Sequence, residues 1–326
     1  MKQETRMQPK VGFIGLGEMG AGMAANLIRS GCRVFICDCR DDRKSPLIDL
    51  GASSVETPRD MAREADRIFL SLPGTEEVKS VLFGVDGITA CERRDLLIVD
   101  LGTTHPLDTR GIAASLREKG ILFLDAPVSG MKSRAEAGTL TIMVGGPEEA
   151  FLKVRDQLSV IGNKVLYMGG SGSGQLTKLV NQLLFNISAA AMAEILPMAV
   201  KMGLDPEKVC DVVTTGTGRS FALEFFTPLI LKDDFGPGYA LNSAYKDMVS
   251  AAEISSRNRI PLPVTAAATQ TYQLALSRGL GAENKGAMIK VWEEVLGVRV
   301  RAGDSQAPVP SPQPISRNHE QEKKRT

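Results

Sequence analysis

The stretch Lys10-Val11-Gly12-Phe13-Ile14-Gly15-Leu16-Gly17-Glu18-Met19-Gly20 decides the fold of this chain of 326 residues. A short apolar run, typical of a buried strand, leads into a Gly-x-Gly-x-x-Gly turn, and Met23 and Leu27 then follow at helical spacing. In such a unit the glycines let the backbone approach a pyrophosphate at the helix N-terminus, where free N–H groups favour an anion. The stretch therefore predicts a dinucleotide-binding turn over residues 15–20.

The acidic residue expected in such a unit follows at a suitable distance. A second apolar run, Val34–Cys37, ends in Asp38, about 20 residues beyond the turn. Its carboxylate would accept hydrogen bonds from the adenosine ribose and repel a 2′-phosphate, which favours NAD over NADP. Arg40 and Arg43 could bind that phosphate if Asp38 turned away, so NADP remains possible.

Strands and helices alternate along the first half of the chain. Strand-like runs at 67–72, 96–99 and 121–124 are separated by helical patterns at 75–83 and 106–117, which is the signature of a parallel sheet wound on both faces. Ligands of such sheets bind beyond the carboxyl ends of the strands. The candidates at those ends are Leu72-Pro73, Asp100-Leu101-Gly102-Thr103 and Asp125-Ala126-Pro127-Val128-Ser129-Gly130.

The second half of the chain has a different pattern. A glycine-rich turn at 169–174 opens onto a long apolar helix that stops near Gly203, and the later segments have helical periodicity. The predicted fold class is α/β, with an N-terminal Rossmann-type doubly wound sheet over 10–169 joined through the long interdomain helix to an all-α substrate and dimerisation domain over 170–298. Residues 301–326 are rich in proline and charge and predict a disordered tail.

Composition excludes several function classes. Thirty-nine basic against 38 acidic side chains leave a net charge of +1, so nucleic acid is not an expected partner. Five cysteines without a Cys-x-x-Cys pair favour reduced thiols, and no metal-ligand spacing occurs. The N-terminus is polar and no uninterrupted run of 18 apolar residues occurs elsewhere, so we expect a soluble, cytoplasmic protein without a membrane partner.

Three polar residues share one face of the long helix. Lys178, Asn181 and Gln182 fall at i, i+3 and i+4 among Leu, Val, Phe, Ile and Ala. For an arbitrary helix the simplest interpretation is a lysine that reaches water beside two solvated amides. The rest of the chain favours an amine held over a cleft. Of the two histidines only His105 lies in the predicted folded part, so catalysis is expected to use another residue type.

Taken together, four blocks resemble the β-hydroxyacid dehydrogenase family, which includes 3-hydroxyisobutyrate dehydrogenase, over about residues 10 to 297. The blocks are residues 15–20, residues 125–130 with 135–140, residues 172–182, and Lys246-Asp247. Four motifs in order at the family spacing make chance agreement improbable.

The resemblance implies hydride transfer between NAD or NADP and a small 3- or 4-hydroxy acid or its semialdehyde. Lys178 matches the family's catalytic lysine, which exchanges a proton with the substrate hydroxyl. The predicted substrate contacts are Ser129, Gly130, Met131, Asn181, Gln182 and Asp247. The predicted cofactor contacts are Gly15, Leu16, Gly17, Glu18, Met19, Gly20, Asp38, Leu72, Pro73, Thr103 and Lys246.

Three departures from the family pattern bear on the substrate. Met131 stands where relatives usually have glycine, with Lys132 and Arg134 where small residues are common; Gly102 stands where many have serine; and residues 283–287 replace an Asp-x-Ser-Ala pattern. If Lys132 or Arg134 faces the cleft, it adds a cation beyond the first carboxylate site. A longer or more highly charged substrate than 3-hydroxyisobutyrate would then be preferred, with succinic semialdehyde as the first choice. If both point to solvent, the preference stays open.

Two alternative functions stay open at this point. A non-catalytic regulator could keep the dinucleotide site and lose the chemistry, and an imine reductase could share the architecture. The presence of Lys178 argues against both. A homodimer or homotetramer is expected, and the sequence does not decide between them or fix the direction of the reaction.

Overall fold

The computed structural model describes residues 9–236 and 238–303. The predicted α/β fold with a helical second domain is confirmed. The chain divides into two compact units, residues 1–181 and 182–326. The predicted boundary lies earlier, at the glycine turn before the long helix. The first turns of that helix belong with the first unit because they hydrogen-bond to a strand end of its sheet.

The first unit is a mixed, mainly parallel sheet with helices between its strands. The sheet order is β3-β2-β1-β4-β5-β6-β8-β7, with β9 paired to β8. The strands are β1 Val11–Ile14, β2 Val34–Cys37, β3 Ser53–Ser54, β4 Arg67–Leu70, β5 Leu97–Asp100, β6 Leu122–Asp125, β7 Val128–Ser129, β8 Leu140–Gly145 and β9 Gly162–Gly169. The helices are α1 Glu18–Arg29, α2 Ser45–Asp49, α3 Pro58–Glu64, α4 Thr75–Phe83, α5 Pro106–Glu118, α6 Lys132–Glu136 and α7 Glu148–Ile161.

The order of the strands creates the binding edge. In the sheet, the neighbouring strands β3-β2-β1-β4-β5-β6 are all parallel. Because β1 lies between β2 and β4, the connection from β1 to β2 runs toward one edge of the sheet, and the connection from β4 to β5 runs toward the other. Every residue of β1, β2 and β5 is buried, as expected for a sheet covered on both faces. A crevice therefore opens at the carboxyl ends of β1 and β4, which is where ligands of this fold bind.

Helix α8, Ser173–Lys201, continues from the first unit into the second. Its Pro197 lies inside the helix, and the chain leaves helical geometry before Gly203, which has a φ of 84°. By length and composition α8 could cross a membrane, but half of its most apolar stretch is buried within the protein. It therefore resembles the core helix of a globular protein. A row of apolar side chains along α8 is exposed: Leu176, Val180, Leu184, Ile195 and Met198.

The second unit is helical in its described part. Its elements are the remainder of α8, α9 Pro206–Thr215, α10 Phe221–Leu231, α11 Leu241–Asn258, α12 Pro263–Ser277 and α13 Ile289–Leu296. Asp205 caps α9, its carboxylate accepting the N–H groups of Glu207 and Lys208. An aromatic cluster, formed by Phe185, Phe221, Phe225, Phe226 and Tyr239, joins α8 to α10.

An ion-pair network holds the end of the described chain. Arg301, the first residue of the predicted tail, is 8 % exposed, and its guanidinium contacts Glu293 and Asp233, each at 2.6 Å. Val300 donates its N–H to the same Glu293 carboxylate. The remainder of the predicted tail, residues 304–326, lies outside the described residues and stays a prediction.

Candidate active site

The glycine turn after β1 is shaped by close backbone contacts. Gly15 has a φ of 94°, and a side chain there would place its Cβ 2.3 Å from the Ser71 carbonyl oxygen, just beyond β4. A Cβ on Gly20 would come within 2.0 Å of the Gly15 carbonyl oxygen. These two glycines are therefore required for the turn and for the approach of α1 to the sheet.

The middle glycine of the turn faces space that a ligand can use. The nearest atom to a Cβ built on Gly17 is a guanidinium nitrogen of Arg43, 3.9 Å away. Gly17 is also the N-cap of α1, and within the described residues no side chain accepts the N–H groups of the first turn at Glu18, Met19 and Gly20. Backbone donors at a helix N-terminus beneath an open approach fit the pyrophosphate of a dinucleotide.

Asp38 is hydrogen-bonded to the glycine turn, and it is the residue predicted to bind the ribose. Its Oδ2 accepts the Leu16 N–H at 2.6 Å, and its Oδ1 accepts the Arg40 N–H at 2.9 Å. An Arg43 nitrogen lies 3.7 Å away, whereas the Arg40 guanidinium pairs with Asp42. The Asp38 carboxylate is therefore fixed at the end of β2, next to the glycine turn. Its preference for a ribose hydroxyl over a phosphate stays a prediction.

Two buried carboxylates face each other at the carboxyl edge of the sheet. Asp100 ends β5 and Asp125 ends β6, and the two residues are paired in the parallel register. Both are 0 % exposed. The sequence showed their place at the strand ends. It gave no sign that each carboxylate would organise a neighbouring segment.

Asp100 fixes the loop that carries Thr103. Its carboxylate accepts the Gly102 N–H at 3.0 Å and the Thr104 hydroxyl at 2.6 Å. Gln175 of α8 donates to the Gly102 carbonyl oxygen at 2.9 Å. A Cβ on Gly102 would lie 2.9 Å from the Leu72 carbonyl oxygen, so glycine suits the site better than the serine of many relatives. Burial raises the pKa of the Asp100 carboxyl to about 6.

Asp125 caps the long helix. Its two carboxylate oxygens accept the N–H groups of Gly172 and Gln175 at 2.8 and 2.9 Å. The carboxylate thus meets the positive end of the α8 dipole from the edge of the sheet. Burial raises the pKa of Asp125, although the donated hydrogen bonds oppose that rise.

The polar face of α8 begins one turn after this cap. Lys178 is 9 % exposed, three residues beyond Gln175. Asn181 is exposed and Gln182 is half-buried. In the second unit, Gln182 donates to an Asp247 carboxylate oxygen at 3.3 Å, which brings two of the predicted substrate residues together.

The predicted carboxylate-binding turn follows β7. Ser129 ends β7 opposite Thr141 of β8, and Gly130 and Met131 both have positive φ, 144° and 42°. Met131 therefore keeps a backbone conformation that favours glycine, the residue expected there in relatives. All three residues, Ser129, Gly130 and Met131, are half-buried.

Comparisons with known proteins agree with this geometry. Residues 10–169 match the model of the NAD binding domain of 6-phosphogluconate dehydrogenase, and residues 172–292 match the model of the NAD-binding domain of NADP-dependent 3-hydroxyisobutyrate dehydrogenase. The chain is 40 % identical over 295 residues to 2-(hydroxymethyl)glutarate dehydrogenase of Eubacterium barkeri, covering 90 % of this chain and 98 % of that protein. The chain belongs to the β-hydroxyacid dehydrogenase family.

Other relatives extend the same picture. The chain is 35 % identical to 2-hydroxy-3-oxopropionate reductase of Escherichia coli, with 87 % of this chain and 97 % of that protein covered. The crystal structure of 3-hydroxyisobutyrate dehydrogenase from Salmonella typhimurium superposes with a TM-score of 0.79 at 29 % identity, over 87 % of this chain and 100 % of that one. The protein is therefore an NAD(P)-dependent oxidoreductase that acts on CH–OH donors, and the predicted enzyme class and cofactor type are confirmed.

The residue roles within this dehydrogenase stay predictions. His105 caps α5: its Nδ1 accepts the Leu107 N–H at 3.3 Å. This histidine therefore has a structural role at the start of the helix. In the described part of the chain, no cluster of three His, Cys, Asp or Glu side chains could hold a metal ion.

The two cations proposed to extend the substrate site of this dehydrogenase lie at the surface. Both Lys132 and Arg134 are exposed. Lys132 lies 3.8 Å from Glu136 on its own helix, and the Arg134 guanidinium donates to the Thr139 carbonyl oxygen. Their surroundings give no support to the expectation that they recognise substrate.

Proposed function

We propose that the protein interconverts a small 3- or 4-hydroxy acid and its semialdehyde, with Lys178 as the acid and base. The observation that carries the proposal is the support of Lys178: a buried amine one turn beyond a helix start that Asp125 fixes to the sheet. A group that transfers a proton must be held in position before the reaction.

The reaction requires Lys178 to accept a proton in one direction and to donate a proton in the other. When bound, the nicotinamide accepts the hydride from the alcohol carbon or returns it to the aldehyde. As the hydroxyl gives its proton to the Lys178 amine, negative charge develops on the oxygen and the C–O bond becomes a carbonyl while the hydride leaves the carbon; the ammonium that forms on Lys178 stabilises that oxygen. In the reverse direction the Lys178 ammonium donates the proton to the carbonyl oxygen.

The substrate would be held by groups on two segments. The turn at Ser129 and Gly130 would bind the carboxylate, and the half-buried Met131 would line the wall beside it. Asn181, Gln182 and Asp247 would contact the rest of the molecule. Gln182 and Asp247 support this assignment because they are hydrogen-bonded to each other.

The lysine is tested by substitution. Lys178→Ala should lower kcat by about 10²- to 10⁴-fold, while the Kd of NADH stays within about twofold. Lys178→Arg should also fail, because a guanidinium does not release its proton near neutral pH. Substrates for the assay are 3-hydroxyisobutyrate, 2-(hydroxymethyl)glutarate and 2-hydroxy-3-oxopropionate. Unchanged rates in Lys178→Ala would assign the proton transfer to another group.

We also propose that NAD is preferred over NADP. The support is the fixed position of the Asp38 carboxylate, which would meet a 2′-phosphate with like charge. The kcat/KM for NAD should exceed that for NADP, and Asp38→Ser should raise relative use of NADP because Arg43 is close enough to bind the phosphate. A higher kcat/KM for NADP in the unaltered protein would overturn this preference.

We further propose a cytoplasmic homodimer or homotetramer. The exposed apolar row of α8, including Val180, Leu184 and Ile195, is a surface that a second copy would cover. Light scattering at micromolar concentration measures the number of subunits, and Leu184→Glu should lower the measured mass. A monomeric mass for the unaltered protein would remove the assignment.

A further inference from the structure

The first compact unit contains a cavity in addition to the crevice at the carboxyl edge of its sheet. The cavity has a volume of about 400 Å³ and is lined by residues of α5, the start of β6, the start of α7 and the loop before α8. Sites for small organic ligands have volumes of roughly 300–1,000 Å³. Over the described residues, the lining contains none of those assigned above to the cofactor or the substrate. The cavity is therefore a candidate for a second binding site.

Two arginines of α5 line this cavity. Arg110 and Arg117 are about two helical turns apart, so they share one face of α5 and lie about 10 Å apart along its axis. Both are exposed, and neither guanidinium has a hydrogen bond or ion pair to the described part of the chain. By contrast, Arg59 and Arg93 of the same unit pair with aspartates. The two guanidiniums on α5 can therefore bind an anion from outside the chain.

The lining between the two arginines is apolar. Ala113 and Ala114 lie between them on α5, and Ile121 and Phe123 come from the start of β6. The alanines are small, so they leave space that a longer side chain would fill. A lining of this kind contacts the hydrocarbon part of a ligand.

The charges of the lining favour acid groups at α5. Two arginines against one glutamate, Glu149, leave a net charge of +1. Glu149 belongs to the first turn of α7. An acid group of the ligand is therefore attracted to the arginines of α5 and repelled from the α7 side.

The stem of Arg110 packs against the segment that begins α8. A Cβ built on Gly172 would lie 3.1 Å from Arg110 Cγ and 3.2 Å from its Nε. The preceding residue, Ser171, lines the cavity as well. Because the chain already restricts this side chain, less conformational entropy is lost when its guanidinium binds a ligand.

We propose that this cavity binds an elongated dicarboxylate with an apolar middle, one carboxylate at Arg110 and the other at Arg117. A guanidinium binds a carboxylate through two parallel hydrogen bonds. With C–C bonds of about 1.5 Å, an extended chain of about nine carbons spans roughly 10 Å, the separation of the two arginines along α5. The site is independent of the proposed reaction at Lys178.

Titration calorimetry of the NADH-saturated protein with nonanedioate tests the site. The Kd should be below about 1 mM, and 1,9-nonanediol, which has the same length without the charges, should bind at least about tenfold more weakly. Arg110→Gln and Arg117→Gln should each raise the Kd of nonanedioate about 10- to 100-fold, the range for a lost hydrogen bond to a charged group. No binding at about 10 mM nonanedioate, or an unchanged Kd in either arginine variant, would overturn the proposal.

Arg155→Gln is the matched control for charge. Arg155 is exposed on α7 outside the lining, so its substitution removes the same charge and should leave the Kd within about twofold. Ser129→Ala is the control for the predicted substrate turn and should also leave the Kd unchanged. If Ser129→Ala weakens binding and the two α5 variants do not, nonanedioate occupies the substrate site and the proposal is wrong.

Ala114→Phe tests the space separately from the charge. Ala114 is exposed, so the larger side chain can be accommodated in the fold while it fills the cavity and keeps both arginines. The Kd of nonanedioate should rise at least about tenfold, and light scattering should give the same number of subunits as for the unaltered protein. A lower number of subunits would show that a second copy covers this face of α5, and the proposal would fail.

Lys178→Ala separates the site from the proposed reaction. This variant should bind nonanedioate with the Kd of the unaltered protein, whatever its effect on kcat. A large loss of binding in Lys178→Ala would place the ligand at the predicted catalytic lysine and overturn the separate site. Full activity in Lys178→Ala with unchanged binding would overturn only the proposed role of the lysine.

Discussion

At the scale of single residues, Asp100 makes the stability of the protein depend on pH. Burial raises its pKa from 3.8 to about 6 in the folded state. A carboxyl with a raised pKa favours the folded state most when it is protonated, below its unfolded pKa. That contribution is lost as the pH rises through about 6, and a shift of this size corresponds to about 3 kcal/mol.

The matching substitution is Asp100→Asn, which stays neutral at every pH. The free energy of unfolding of the variant minus that of the unaltered protein should increase between pH 4 and pH 7 and then level off. Urea denaturation at a series of pH values measures both curves. A difference that is constant over this range would mean that Asp100 ionises in the folded protein as easily as in the unfolded chain.

The backbone of Met131 is strained. Its φ of 42° lies in the region that side-chain-bearing residues seldom adopt, and it directly follows Gly130 in the predicted carboxylate-binding turn. Strain of this kind persists where the surrounding structure enforces it, often at functional sites. The turn therefore holds a long side chain in a backbone conformation that glycine adopts more easily, directly after Gly130.

At the scale of elements, we predict that the cap of α8 affects both stability and activity. Asp125→Asn would present an amide N–H to one of the two backbone donors, Gly172 or Gln175. Loss of this cap hydrogen bond should lower Tm by several degrees. Because Lys178 follows within one turn, it should lower kcat as well. The Kd of NADH should change little.

Asp205→Ala is the control for this prediction. Asp205 accepts two backbone N–H groups at the start of α9 through one carboxylate oxygen, away from the sheet. The substitution should lower stability by about 1 kcal/mol and leave kcat unchanged. If both variants behave alike in kcat, the Asp125 cap has no special connection with catalysis.

The sequence predicts the regular elements well and the polar contacts poorly. The apolar periodicity of the sequence correctly predicts helices such as α4 and α5. The alternation of strands and helices along the chain also predicts the strand ends at Asp100 and Asp125. Short elements such as β3, of two residues, have too little pattern to recognise. The carboxylate contacts to Gly172 and Gln175 join residues about 50 positions apart, and local spacing does not report such pairs.

At the scale of the whole molecule, the end of the described chain contributes to stability. A protein ending at Val300 loses Arg301 and leaves the Glu293 carboxylate, which is 7 % exposed, without its guanidinium. The expected cost is about 3 kcal/mol, or roughly 6 °C or more in Tm. A protein ending at Gly303 keeps the ion pair and should have the same Tm as the full chain. Identical melting of the two truncated proteins would show that Arg301 adds nothing.

The substrate site is the part of the molecule that sequence alone predicts least well. The motifs locate Lys178 and the glycine turn, because both belong to local patterns. The hydrogen bond between Gln182 and Asp247 joins two predicted substrate residues that lie 65 positions apart, and local spacing does not report such a pair.

The cap of α8 also sets an order of events while the chain is being synthesised. Asp125 is synthesised 47 residues before Gly172, the first of the two cap donors of α8 that hydrogen-bond to its carboxylate. Until then the two α8 donors are missing, and we expect water to solvate the carboxylate in their place. The first unit therefore cannot reach its final packing when residue 169 is added. It must wait for the opening turn of the helix that carries Lys178, so the nascent protein completes its sheet and places its lysine in the same step.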